Sequence, residues 1–170
     1  MRTRPPFIRS TDEVPEHTHV YPQSTEEMGP TRPLGRKAGL QRMGINIQRL
    51  PPGYRSSWPH AEEREEEFVY VLQGEVDAWV DGNIHRMRSG DLAAFPAGTG
   101  ISHCFINNTE TEVVLLVGGE ARKPANRIFY PLNPSRRSDM DASEWWADVP
   151  KRELGPHDGL PDAVRRERRQ

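Results

Sequence analysis

Between Leu40 and Leu50 apolar and polar side chains alternate, Met43, Ile45 and Ile47 against Gly44, Asn46 and Gln48. That is the period of a half-buried strand. Pro51-Pro52-Gly53 ends it, and residues 56–60 are expected as the next strand, carrying His60. The charge run from Glu62 to Glu67 reads as a solvated hairpin tip at Glu63, Glu65 and Glu66. Glu67 differs, because it directly precedes Phe68-Val69-Tyr70-Val71-Leu72, the strongest β segment of the chain. Gly74 to Gly82 reads as a strand entering a tight turn at Asp81-Gly82-Asn83, with Ile84–Met87 pairing back across it. Leu92–Phe95 and Ser102–Ile106 follow as strands on either side of the loop Pro96–Gly100, and Val113–Val117 is a continuous apolar run of buried-strand type. Short strands at this regular spacing predict a barrel or a sandwich.

The texture differs at both ends. Residues 1–35 are rich in Pro, Glu, Thr and Arg without a sustained period and are expected to form an extended arm. Beyond Glu120, Asn126–Pro131 is expected to add one edge strand, Met140–Ala147 a short helix bearing Trp145 and Trp146, and Gly155–Gly159 a turn. The expected division is therefore an arm over 1–35, a barrel over 36–120 and a second arm over 121–170, wrapping the barrel or a partner subunit.

Composition narrows the class. A chain of 170 residues suits one domain. Only 34% hydrophobic residues, with 16 prolines and 14 glycines, favour a turn-rich β protein over a helical bundle. A formal charge of −2 creates no field that favours nucleic acid or an acidic membrane. The basic cluster Arg165–Gln170 reads as a solvated tail. The single cysteine excludes an internal disulfide and suits a reducing cytoplasm. The N-terminus lacks the apolar core of a signal peptide, and no apolar run approaches the ~20 residues that span a bilayer.

The candidate chemistry lies in two blocks. His60 and Glu62 are two apart, a spacing that puts both side chains on one side of a strand. If that side is the inside of a barrel, an imidazole and a carboxylate meet in a dry place, and a metal ion is a common way to satisfy such groups. His60, Glu67 and Gly74, followed by Gly90, Pro96, Gly98, His103 and Asn107, resemble the paired motifs of the cupin superfamily. Six residues separate Glu67 from Gly74, as in the family's first motif, and fifteen lie between Gly74 and Gly90, as in compact bacterial cupins. Three features depart from the pattern. Six residues instead of five separate Gly53 from His60, four instead of two separate Gly98 from His103, and Glu62 stands where the family has its second histidine.

The resemblance implies an all-β double-stranded β-helix, the cupin jelly-roll barrel. It also implies one divalent metal ion (Mn, Fe, Zn or Ni) held by His60, Glu67 and His103. Glu62 is either the fourth ligand or turns outward to join the acidic hairpin. Two histidines and two carboxylates make a harder ligand set than three histidines and one, favouring Mn, Fe or Zn over copper. Asn107 is expected to do structural hydrogen bonding, and Cys104, on the opposite strand face, to be an inert packed thiol. Tyr70, Trp79 and Phe95 are candidates for the barrel mouth or the core. His17 and His19 read as exposed loop residues, His85 as exposed and His157 as part of a turn. No serine or cysteine is accompanied by a recognisable base.

Three functions fit. One is a metal-dependent cupin enzyme acting on a small polar molecule. A second is a non-catalytic ligand-binding or sensing module. A third is an enzyme resembling sugar-phosphate isomerases, a reading the segment Glu66–Gly74 suggests by family analogy. A homodimer is expected, because barrel edges need covering and Phe7-Ile8, Phe129-Tyr130 and Trp145-Trp146 need burial.

Overall fold

A computed structural model describes residues 4–121 and 123–168. Ten strands, three short α-helices and a 3-10 turn at Thr11–Glu13 are present among them: β1 (Thr31–Arg32), α1 (Leu34–Lys37), β2 (Met43–Leu50), β3 (Ala61–Glu62), β4 (Glu67–Gln73), β5 (Glu75–Val80), β6 (Asn83–Arg88), β7 (Leu92–Phe95), β8 (His103–Ile106), β9 (Val113–Glu120), β10 (Ile128–Phe129), α2 (Arg136–Asp139) and α3 (Asp162–Glu167). The barrel is an all-β jelly roll of antiparallel sheets. A five-stranded sheet runs in the order β1-β2-β9-β4-β7, a three-stranded sheet in the order β6-β5-β8, and β3 pairs with β10. Among the described residues no helix is long and apolar enough to cross a membrane.

Apart from residues 56–60, the expected strands from Met43 onward are found within a residue or two of their predicted limits, except that β9 runs three residues past Val117 to Glu120. The β5–β6 hairpin turns on Asp81 and Gly82, at φ 45° and 81°, with Val80 opposite Asn83. Two left-handed residues in a row match the twist of the flanking strands, which is why Asp-Gly serves here. Leu50, Val69, Val71, Val76, Phe105 and Leu115 fill the space between the sheets, all 4% exposed or less.

Two expectations need correction. Residues 56–60 are not a regular strand. This stretch pairs only through single bridges, Arg55 to Ile106 and His60 to His103, before β3 begins at Ala61. Pro59 and the side-chain bonds of Ser56 and Ser57 occupy the segment in place of a ladder. Met140–Ala147 is not a helix. Helical structure falls earlier, at α2, and Trp145 lies in a parallel bridge to Ile128, with the Ile128 amide donating to Glu144 and the Trp146 amide to Ile128. The apolar pair is used to extend β10, a contact that sequence-local helix propensity does not weigh.

Both terminal segments pack on the barrel. Thr31 and Arg32 pair with Gln48 and Ile47, and Tyr21 and Met28 enter a cluster with Trp58, Tyr130 and Trp145. The C-terminal segment covers the outer face of the three-stranded sheet, where Trp79, Cys104 and Ile106 are fully buried and Trp79 Nε1 donates to the His157 carbonyl. Trp79 is thus core on the outer face, Cys104 is the packed thiol expected of it, and His157 is a turn residue that holds this segment in place. Tyr130, Trp145 and Trp146 are buried within the chain itself, which removes them as a reason for dimerisation, whereas Phe7 and Ile8 remain exposed.

Arg55 joins all three parts. It is 4% exposed, grips both Glu26 carboxylate oxygens at 2.7 and 2.6 Å, and donates to the Gly159 carbonyl at 2.7 Å.

Candidate metal centre

His60 and His103 face each other because their backbones form a bridge, with amide–carbonyl distances of 3.2 and 2.9 Å. Glu67 opens β4 and is flanked on one side by Phe95 of β7 and on the other by Gly119 of β9. The second neighbour has to be small: a Cβ at Gly119 would collide with the Glu66 carbonyl. The sheet can therefore close beside Glu67 only if position 119 is glycine, a requirement that spacing along the chain does not announce.

Among the described residues, the ligand atoms of His60, Glu67 and His103 lie within 4.8 Å of one another. Glu67 Oε2 is 3.4 Å from His60 Nε2 and 3.3 Å from His103 Nε2, and this buried oxygen has no hydrogen-bond partner. Three donors converging on one point, with a buried carboxylate oxygen left over, suit a divalent cation of the Mn, Fe, Zn or Ni group. The Trp58 carbonyl lies 2.9 Å from His60 Nδ1 and accepts its proton, which leaves the Nε2 lone pair for a metal. Phe95 stacks on His103 at 3.5 Å and 4°, fixing the ring plane.

The other sequence candidates fall as follows. Glu62 lies in β3, where its carboxylate accepts a short hydrogen bond from Asn126 and stands outside the group of three. Asn107 is wholly buried and bonds the Leu50 and Thr111 carbonyls, the structural role expected of it. Phe95 lies beside the site, while Tyr70, half-buried, pairs with Leu92 and Leu116. His17, His19 and His85 are exposed. Residues the sequence reading passed over also line the site: Thr31, Asn46, Gln48, Ser56 and Ser57 border a cavity of about 210 Å³ that opens onto the three ligands. The alternation along β2 sets Asn46 and Gln48 on its polar face, and in the structure that face lines the cavity, with Gln48 buried.

Burial disfavours charge on both imidazoles, but Glu67 separates them. At His60 the adjacent Glu67 carboxylate outweighs burial and raises the pKa to about 9. At His103 burial prevails and lowers it. Burial also opposes charge on Glu67, yet the two imidazoles hold its carboxyl far below the usual range. Burial pushes Glu62 up to about 7.

These directions set a pH profile. In the metal-free protein the contribution of His60 is complete below its ordinary 6.5 and is lost as pH rises through about 9. The contribution of His103, with its lowered value, is present above 6.5 and is lost as pH falls. Glu67 loses its contribution only in acid. Metal-free protein should melt highest near about pH 6.5 and progressively lower toward pH 9. Bound zinc should reverse the alkaline limb, because His60 must shed its proton to ligate. Scanning fluorimetry of chelated and zinc-loaded protein across this range checks it. Parallel curves for the two would refute the assignment of His60.

The barrel and this three-residue centre define a class: small β-barrel proteins with a metal-capable interior. The family model for the cupin domain matches residues 46–119. A protein described as a sugar phosphate isomerase of a cupin superfamily, from Silicibacter pomeroyi, is 34% identical; the alignment covers 71% of this chain and 79% of that one, with a TM-score of 0.64. A putative sugar phosphate isomerase from Acidithiobacillus ferrooxidans is 26% identical over 74% and 81% of the two chains, at 0.67. A predicted oxalate decarboxylase from Thermotoga maritima, 20% identical over 68% and 99% at 0.57, shares the fold. No curated protein matches. The chain belongs to the cupin superfamily.

Proposed function

We propose that the chain is a metal-dependent cupin enzyme acting on a small molecule rich in hydroxyl and carbonyl groups, with one divalent ion held by His60, Glu67 and His103. The observation that carries this reading is the buried, unbonded Glu67 oxygen set between two imidazole nitrogens. A metal there would act as a Lewis acid on a ligand oxygen. Gln48 already spends its amide protons on the Gly29 and Ser56 carbonyls, so its position is fixed and its oxygen is available to a ligand hydroxyl. Glu62, with its carboxyl raised to about 7, holds or releases a proton near neutral pH and completes the ligand set when ionised. The sugar phosphate isomerase description of the 34% identical relative supports a carbohydrate-like substrate.

A non-catalytic binding module is the second reading, favoured by the carboxylate at position 62 in place of a histidine. The proposed assembly is a homodimer using exposed apolar groups such as Phe7, Ile8 and Leu92.

Elemental analysis after expression in metal-supplemented medium should find one divalent ion per chain, and light scattering of the same sample a mass twice 19.4 kDa. Glu62→Gln should retain the metal with a loss of affinity of about tenfold to a hundredfold, the range for a group at the edge of a metal site. Metal-free wild type with an intact fold would sink the enzyme reading, and a 19.4 kDa particle would sink the dimer.

A further inference from the structure

The acidic run that begins at Glu62 is stitched to the loop before β10. The Lys123 amide donates to Glu65 at 2.6 Å, and the Glu63 amide to the Arg127 carbonyl at 2.9 Å. Arg127 grips both Glu63 carboxylate oxygens at 2.7 and 2.8 Å. Asn126 uses both ends of its side chain here. The Arg64 amide can only donate, so it meets Asn126 Oδ1, at 2.9 Å. That contact orients the group and turns Nδ2 toward Glu62, which accepts its hydrogen bond. The turn presenting Asn126 holds Ala125 at φ 57°, a left-handed conformation that a residue with a side chain keeps only where its surroundings impose it.

Glu62 is the odd member of the run. Glu63 is paired with Arg64 and Arg127, whereas among the described residues Glu62 has no cation partner and one side-chain donor, the neutral amide of Asn126. The backbone at Glu62 is pinned on both sides: its carbonyl accepts from the Gly98 amide at 3.1 Å, and the following amide is held by Arg127. Movement of Glu62 is therefore confined to its side-chain torsions. The carboxylate stands outside the group of three ligand atoms, yet it is near enough for its charge to act on both His60 and Glu67. A carboxylate held beside a metal-capable group by a single neutral donor has two places to bind.

We propose that Asn126 is the positioning residue for Glu62. It parks the carboxylate beside the His60–Glu67–His103 group, so that Glu62 ligates the ion when the inner cavity is empty and returns to Asn126 when a ligand oxygen takes that coordination position. The proposal rests on the metal-enzyme reading above and adds how the centre opens to a substrate. A fourth ligand with no alternative partner would leave the ion at the full cost of an unpaired, half-buried carboxylate. Here Nδ2 receives it, and the contacts that bind the loop to Glu63, Arg64 and Glu65 keep Asn126 in place while Glu62 moves.

The test is zinc titration in competition with a chromophoric chelator, followed by titration of the zinc-loaded protein with acetohydroxamate, a small ligand that chelates through two oxygens. Asn126→Ala should tighten zinc by about tenfold to a hundredfold, the worth of a hydrogen bond to a charged group that ligation no longer has to break. The same variant should weaken acetohydroxamate by about tenfold, because the displaced carboxylate has lost its resting place. A merely structural role for Asn126 would not move the two affinities in opposite directions. Both shifts should vanish when Asn126→Ala is made in the Glu62→Gln background, where position 62 no longer offers a carboxylate. Zinc bound no more tightly by Asn126→Ala than by wild type, acetohydroxamate not weakened, or shifts that persist in the Glu62→Gln background overturn the proposal. If wild type takes up zinc and only the Asn126 comparison fails, the metal-enzyme reading stands; wild type that takes up no zinc sinks both.

Discussion

His103→Ala is expected to leave the protein without stoichiometric metal. The substitution removes one of three converging ligand atoms from a cluster only 4.8 Å across. Structural zinc sites with four ligands are worth about 10–16 kcal/mol in total, so a single ligand of that kind accounts for roughly 3 kcal/mol, about a hundredfold in affinity. His60 alone then has to offset Glu67, and the stack of Phe95 on the imidazole is lost as well. The measurement is metal content after expression in supplemented medium, together with melting temperature with and without added zinc. His85→Ala is the control, because His85 is an exposed β6 residue with Ala78 opposite it. Wild type and His103→Ala with equal metal content and equal zinc response would mean that the cluster binds no ion.

Arg55→Met should be the most destabilising of the single changes considered, for a reason separate from the metal. Arg55 is buried, and three of its donors meet acceptors at 2.6–2.7 Å. Methionine keeps the volume but abandons Glu26, to which Trp58 Nε1 also donates, and the Gly159 carbonyl. Breaking a buried pair costs about 3–5 kcal/mol. The Glu26 side chain is 32% exposed and can recover some hydration, so about 3 kcal/mol is expected. In a chain of this size that lowers the melting temperature by about 6–12 °C.

Arg136 provides the contrast. Its Nε and Nη1 are buried without an acceptor, the Asp139 carboxylate is 3.8 Å away, and the guanidinium lies 5.5 Å from the ring centres of Tyr21 and Tyr130. Cation–π contact of this kind is worth about 0.5–2 kcal/mol and is offset by the buried donors that the distant Asp139 carboxylate leaves without a hydrogen bond. Arg136→Met should therefore cost about 1 kcal/mol or less. Denaturant titration of the two variants decides it. Equal losses would show that burial alone, and not the count of satisfied donors, sets the value of these arginines.

The strands from Met43 to Val117 were legible because a two-residue period records which face of a strand is wet. The turn at Asp81-Gly82 was legible because few residue pairs accept two left-handed conformations in succession. His60, Glu67 and His103 could be singled out together by motif spacing, and the structure brings those three together. The parity argument that coupled Glu62 to His60 has a different footing in the structure. It assumed one regular strand from 56 to 62, whereas His60 bridges His103 and Glu62 pairs with Ile128 of β10.

The chain by itself determined the alternating strands, the tight hairpin and the order of the metal-capable residues, since each depends on neighbours a few positions away. Tertiary structure alone decided the rest. Asn126 engages Glu62 across 64 residues, Gly159 caps Arg55 across 104, and His157 meets Trp79 across 78. Each is a single hydrogen bond between distant segments and imposes no period or composition on either. The collision that bars a side chain at Gly119 exists only once β9 lies against β4. Local pattern can specify which residues form a sheet, but the partner of a polar group buried at its edge is settled only when the remote segment arrives and the group must be satisfied.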